Sequence, residues 1–187
     1  MPAQPAAAPT DATTTTAAGV PATSIHHDRG YYLGSNATPG NEAMSYDLAV
    51  FDPRDDLRDP TAFSKWYRAR TSWEGEVHFD EAPNSTASLQ AWLQEMLELF
   101  PPMNGTRRPS FEDAERWDRA ADYAIAPDLI YVSFSSAKAG FVYDTVYRLA
   151  AKYGVGFYNV SDSQGEVWFP RPEGGLESLF ALSGTQT

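Results

Sequence analysis

The chain has 187 residues, 42% of them hydrophobic and 13% aromatic, with no cysteine and a formal net charge of −11. That length suits one ordinary domain with a real core, and the missing cysteines exclude disulfides, thiolate metal ligands and a thiol nucleophile. The negative field opposes phosphate-neutralising contact with nucleic acid and attracts a basic partner instead. No apolar run approaches the roughly 18 residues of a membrane span, and the N-terminus lacks a basic stretch followed by an apolar one. A cytoplasmic protein without a membrane partner is therefore expected.

Residues 1–43 are dominated by Ala, Thr and Pro and carry few charges. Such a segment buries too little apolar surface to offset the entropy of ordering it, so it reads as a disordered extension. A single α+β domain is expected over 44–187, which makes Met44 a candidate natural start and the residues before it an upstream-translated or appended segment. His26 and His27 fall in the extension, where no third or fourth ordered ligand accompanies them.

Ser45–Phe51 alternates around Tyr46, Leu48 and Val50 and stops at Asp52-Pro53, the pattern of a strand. After the charged loop 54–59, Asp59-Pro60 supplies an N-cap and a first-turn proline for a helix to about Ser72. On it Phe63, Trp66, Tyr67 and Arg70 share a face, suited to the core or to a ligand platform. Glu74, Glu76, Asp80 and Glu81 form the densest acidic patch, around Val77, His78 and Phe79, with room for a short edge strand. Asn84, Ser85 and Thr86 offer caps for a helix whose Leu89, Trp92, Leu93, Met96, Leu97 and Phe100 recur at three and four residues. It ends at Pro101-Pro102, and a short helix through Trp117 follows.

Asp128–Ser135 is apolar on both faces, as in a covered central strand. Next comes a helix with Val142, Val146, Leu149, Ala150 and Tyr153 as its buried stripe, closed by Gly154. A strand over 155–161 and a return strand over 166–169 complete the pattern. The short joints predict a right-handed β-α-β unit with parallel strands and a C-terminal hairpin. The expected architecture is a two-layer α+β sandwich, a mixed sheet with helices packed on it. Leu176, Leu179, Phe180 and Leu182 read as a short terminal helix.

Chemistry is sparse in this pattern. Gly154 and Gly156 follow a helix and open a strand, whereas a phosphate cradle precedes a helix. His78 stands alone in the folded part, short of a histidine metal cluster or a triad. No catalytic residue, metal or cofactor is assigned. The enzyme alternative would use Glu76, His78, Asp80 or Glu81 in an acidic cleft; a small-ligand or regulatory domain is the other alternative.

Met44-Ser-Tyr-Asp-Leu-Ala-Val-Phe, Ile130-Tyr-Val-Ser-Phe-Ser, Lys152-Tyr-Gly-Val-Gly-Phe-Tyr-Asn-Val-Ser and Gly165-Glu-Val-Trp-Phe-Pro resemble the opening strand and closing hairpin of a family of small, largely uncharacterised bacterial cytoplasmic proteins. The resemblance covers about Met44 to Pro170 and implies, for some members, a role as immunity partners of secreted toxins. An acidic immunity protein that binds and neutralises a basic toxin domain is the resulting expectation. Asp52, Asp55, Asp56, Glu74, Glu76, Asp80 and Glu81 are its candidate contacts, with Trp73 as aromatic anchor.

Overall fold

The computed structural model describes residues 45–74 and 77–182. The 1–43 extension with His26 and His27, the candidate start Met44, and Glu76 lie outside the described residues. Strands β1 (Ser45–Phe51), β2 (Asp122–Ala126), β3 (Leu129–Ser135), β4 (Gly156–Tyr158), β5 (Glu166–Pro170) and β6 (Leu176–Ala181) form one sheet in the order β2-β3-β1-β4-β5-β6. Every neighbouring pair is antiparallel. Among the described residues no helix is long and apolar enough to cross a membrane.

The α+β class holds, but the sheet is antiparallel throughout rather than mixed. β3 and β4 both pair antiparallel with β1, so they run in the same direction without touching. The expected β-α-β unit is therefore split by β1. The physical reason lies in β1 itself. Leu48 and Val50 enter one apolar cluster, Ala49 and Phe51 the other, and all four are fully buried. A strand apolar on both faces belongs in the middle of a sheet, and a period-two pattern does not say between which neighbours.

Helices cover both faces, so a two-layer arrangement is also corrected. On one face α2 (Ala87–Leu99) and α4 (Ala139–Tyr153) bury Trp92, Leu93, Met96, Val142, Val146 and Leu149 against Leu48 and Val50. On the other, α1 (Pro60–Thr71) lays Phe63, Trp66 and Tyr67 over Ala49, Phe51 and Tyr158. Local chemistry sets the helix ends. Asp59 accepts a hydrogen bond from the Ala62 N–H at 2.8 Å, Thr86 caps α2 through the Leu89 N–H, and Gly154 closes α4 at φ 65°. The short helix α3 (Ala114–Arg119) is capped by Asp113. Glu95 on α2 receives both Lys152 and the Tyr153 hydroxyl of α4, which lowers the Glu95 pKa and raises that of Lys152.

The expected terminal helix is β6. An irregularity between Val167 and Trp168 leaves Leu179 without a partner in the ladder. Leu176 consequently joins the core under α2 and α4, while Phe180 joins the one under α1. Such a bulge removes the alternation by which a strand is recognised. The predicted edge strand near Val77 reduces to one bridge, in which His78 exchanges backbone hydrogen bonds with Ile125 of β2 at 3.2 and 2.9 Å.

Tyr123 is 1% exposed and donates its hydroxyl to the Phe100 carbonyl at 2.8 Å. Burial raises its pKa above the ordinary 10.0, and burial with Tyr131, Tyr158 and Asp47 nearby does the same to Tyr67. A phenol with a raised folded-state pKa holds its proton more tightly folded than unfolded. Its stabilisation is complete below the unfolded pKa and is lost as pH rises through the folded one. Phenolate absorbance should therefore show tyrosines that ionise only together with cooperative unfolding, above about pH 10. Smooth titration of every tyrosine in folded protein would contradict this.

Candidate protein-binding surface

The acidic residues singled out by sequence lie in two segments, one after β1 and one between α1 and α2. Asp55 and Asp56 are exposed on a single helical turn after β1, beside Arg58 at 3.6 Å and Arg54 at 3.2 Å. Asp52 is half-buried, its backbone bonded to Asp128 and Arg54. Trp73 is half-buried at φ 51°, its ring edge-on to Tyr131 at 6.4 Å. Glu74 and Glu81 are exposed. Among the described residues no hydrogen bond or ion pair joins Asp52, Asp55 or Asp56 to Glu74, Asp80 or Glu81.

Asp80 needs a correction as a partner contact. It is 7% exposed, and its Oδ2 accepts hydrogen bonds from the Thr106 hydroxyl and the Arg107 N–H, both at 2.9 Å. Gly105 at φ 82° packs against the carboxyl, where a Cβ would lie 2.5 Å from Cγ. The side chain pins the loop that follows α2, which also removes it from the acidic cleft of the enzyme alternative. Among the described residues no three acidic or histidine side chains converge to hold a metal.

A second acidic residue is spent on the fold. Asp128, in the turn between β2 and β3, receives Arg54 Nη1 at 2.8 Å, Arg70 Nη2 at 3.1 Å and Trp66 Nε1 at 3.0 Å on Oδ2. Arg70 Nε lies 2.7 Å from Oδ1. The aromatic face of α1 is thus core, with its polar edge tied to one carboxylate.

A second group of acidic residues lies beside aromatic rings on the face covered by α4. Tyr143 and Tyr147, one turn apart on α4, stack at 6.0 Å, and Tyr147 meets Trp168 of β5 edge-on at 5.4 Å. Both tyrosines also meet the buried Phe157 ring edge-on, at 5.5 and 5.6 Å. Tyr46 joins from β1, its hydroxyl 3.4 Å from Asn159 Oδ1. All four rings are half-buried. Burial, then Glu166 and neighbouring groups including Asp144, raise the Tyr143 pKa; burial outweighs the Asn159 hydrogen bond and, with Asp162, raises that of Tyr46.

The chain matches no protein-family model, no curated protein and no solved structure. Asp144, Asp162 and Glu166 have no cation within ion-pair distance among the described residues. Asp55, Asp56, Glu95, Glu115, Asp118 and Glu177 do have one, whereas Asp52, Glu74 and Glu81 also lack one among those residues, with the Trp73 ring beside Glu74 in sequence. Half-exposed electron-rich rings edged by uncompensated carboxylates make a surface for ammonium or guanidinium groups. The rings supply cation–π attraction and apolar contact, and the carboxylates supply charge. The sequence carries a trace of it. Tyr143, Asp144 and Tyr147 flank the buried Val142 and Val146 stripe, but the register bringing Glu166 and Trp168 beneath them is set by β1, β4 and β5.

Proposed function

We propose that this protein is an acidic binding protein that recognises a basic protein domain through the Tyr46, Tyr143, Tyr147 and Trp168 rings and the Asp144, Asp162 and Glu166 carboxylates. The resemblance of its opening strand and closing hairpin to a family with immunity members suggests a secreted toxin's enzymatic domain as the partner, met in the cytoplasm. The observation that carries the reading is the set of carboxylates left without cations beside half-exposed rings, in a chain of net charge −11. Surface charge of this kind speeds encounter with an oppositely charged partner, and blocking an active site needs no chemistry of its own.

The test is association with the product encoded beside this chain's own gene. The wild-type protein should co-purify with that product and suppress its activity. Asp144→Lys with Glu166→Lys should slow association at least about 10-fold at low salt and flatten its salt dependence. Asp55→Lys with Asp56→Lys should change it by less than about 2-fold. Absence of co-purification, or equal effects of the two pairs, would remove the assignment.

A further inference from the structure

We infer that the cleft between α1 and the loop 160–165, on the sheet face opposite the Tyr46, Tyr143, Tyr147 and Trp168 rings, is a binding site for a small aromatic carboxylate. The cleft holds about 490 Å³ and is partly open, within the range of small-ligand sites of roughly 300–1,000 Å³. Tyr67 and Tyr158 form its aromatic wall, with ring centroids 4.9 Å apart and planes at 87°. An arene ring entering there has a face and an edge to meet.

The polar groups turned to the cleft are mostly donors. Neither the Tyr67 nor the Tyr158 hydroxyl has a hydrogen-bond partner among the described residues. Both phenols are held protonated by burial, so each can donate to an acceptor. Ser161 Oγ already accepts the Asp47 N–H at 2.7 Å, which leaves its own O–H to donate. Ser64 and Ser163 add hydroxyls. Asp47 is occupied behind the wall, taking the Ser133 hydroxyl at 2.6 Å and the Ser45 hydroxyl at 3.0 Å.

Charge points the same way. Arg54, Arg58, Arg70, Arg119, Lys138 and Lys152 all have carboxylate partners. Lys65 and Arg68 have none among the described residues, and Arg68 lines both the cleft and the adjoining hollow that Lys65 borders. One carboxylate, Asp162, also lines the cleft, with the Gln164 N–H 3.3 Å from its Oδ1; it is placed to take a hydroxyl of the ligand. Two unpaired cations, unpartnered hydroxyl donors and an aromatic wall select a ligand rich in acceptors at one end and flat at the other.

The full chain titrated with 4-hydroxyphenylacetate should show saturable amide shifts confined to residues 64–68 and 160–165. The neutral analogue 4-hydroxyphenylacetamide should bind at least about 10-fold more weakly, as should Arg68→Gln against the acid. Arg68 is exposed, so that variant should keep the wild-type spectrum elsewhere. Tyr67→Phe should weaken binding about 3-fold or more by removing one donor. Absence of saturable shifts with both 4-hydroxyphenylacetate and phenylacetate overturns the site. Equal affinity for acid and amide, or an unchanged affinity in Arg68→Gln, overturns the carboxylate assignment. Neither result touches the protein-binding surface, which shares only Asp162 with the cleft and is tested through Asp144 and Glu166.

Discussion

Gly156→Ala is expected to destabilise the fold by about 3 kcal/mol or more, or to prevent folding. Gly156 pairs with Phe51 across β1 and β4, and the Phe51 ring lies over it. A Cβ there would stand 2.3 Å from Cζ and 2.4 Å from Cε2 of that ring. Phe51 is fully buried and boxed in by Phe63 at 5.1 Å, Phe169 at 5.2 Å and Trp66 at 5.7 Å, so it has nowhere to turn. Interiors packed to crystal density pass such an insertion on as strain. Gly154→Ala makes the control. At φ 65°, with no atom beyond its chain neighbours within 4 Å of an added Cβ, it should cost only the left-handed backbone penalty of about 1–2 kcal/mol. Urea unfolding of both variants decides the matter, and a Gly156→Ala loss below that of Gly154→Ala would show that the strand yields. Phe51→Leu should partly rescue Gly156→Ala, because the two changes share one space.

The second large effect is expected at Asp128. Its side chain is 12% exposed and tied to Arg54, Arg70 and Trp66, and so joins the β2–β3 turn to α1 and to the loop after β1. Asp128→Ala leaves two guanidiniums and an indole N–H facing an apolar methyl. Removing one partner of a fully buried ion pair costs roughly 3–5 kcal/mol. Here the arginine side chains are 38% and 43% exposed and can swing to water, so a loss of about 2–3 kcal/mol is expected. Asp128→Asn should recover part of it by keeping an acceptor for Trp66. Chemical denaturation of Asp128→Ala within about 0.5 kcal/mol of wild type would assign the node to surface chemistry instead.

Much of the local structure was legible in the residues. The bounds of β1, α1 and α2 follow from alternation, from the Asp59-Pro60 start and from helical spacing after Thr86. These signals live within a few residues of one another, where sterics and capping act. β2 leaves little signal in the sequence, because Asp122–Ala126 is five residues long and runs directly into the Pro127-Asp128 turn. β6 resembles a helix in sequence because its bulge splits Leu176 and Phe180 between faces.

The binding residues were least legible. Asp80 and Asp128 look like surface carboxylates in sequence, yet each is held by groups 26 to 74 positions away. Tyr143, Tyr147 and Trp168 look like core, yet the α4 stripe covers only part of each ring. Spacing along a helix tells which residues share a face but not where the facing sheet stops.

By itself the sequence determined an acidic, cysteine-free α+β chain and the ends of its main helices, because composition and caps act without regard to tertiary context. Only the tertiary structure decided that β1 divides β3 from β4, that helices lie on both faces, and which carboxylates keep a cation. Those outcomes depend on contacts between segments far apart in the chain. Whether a charge is available to a partner is settled by what the fold has already placed beside it.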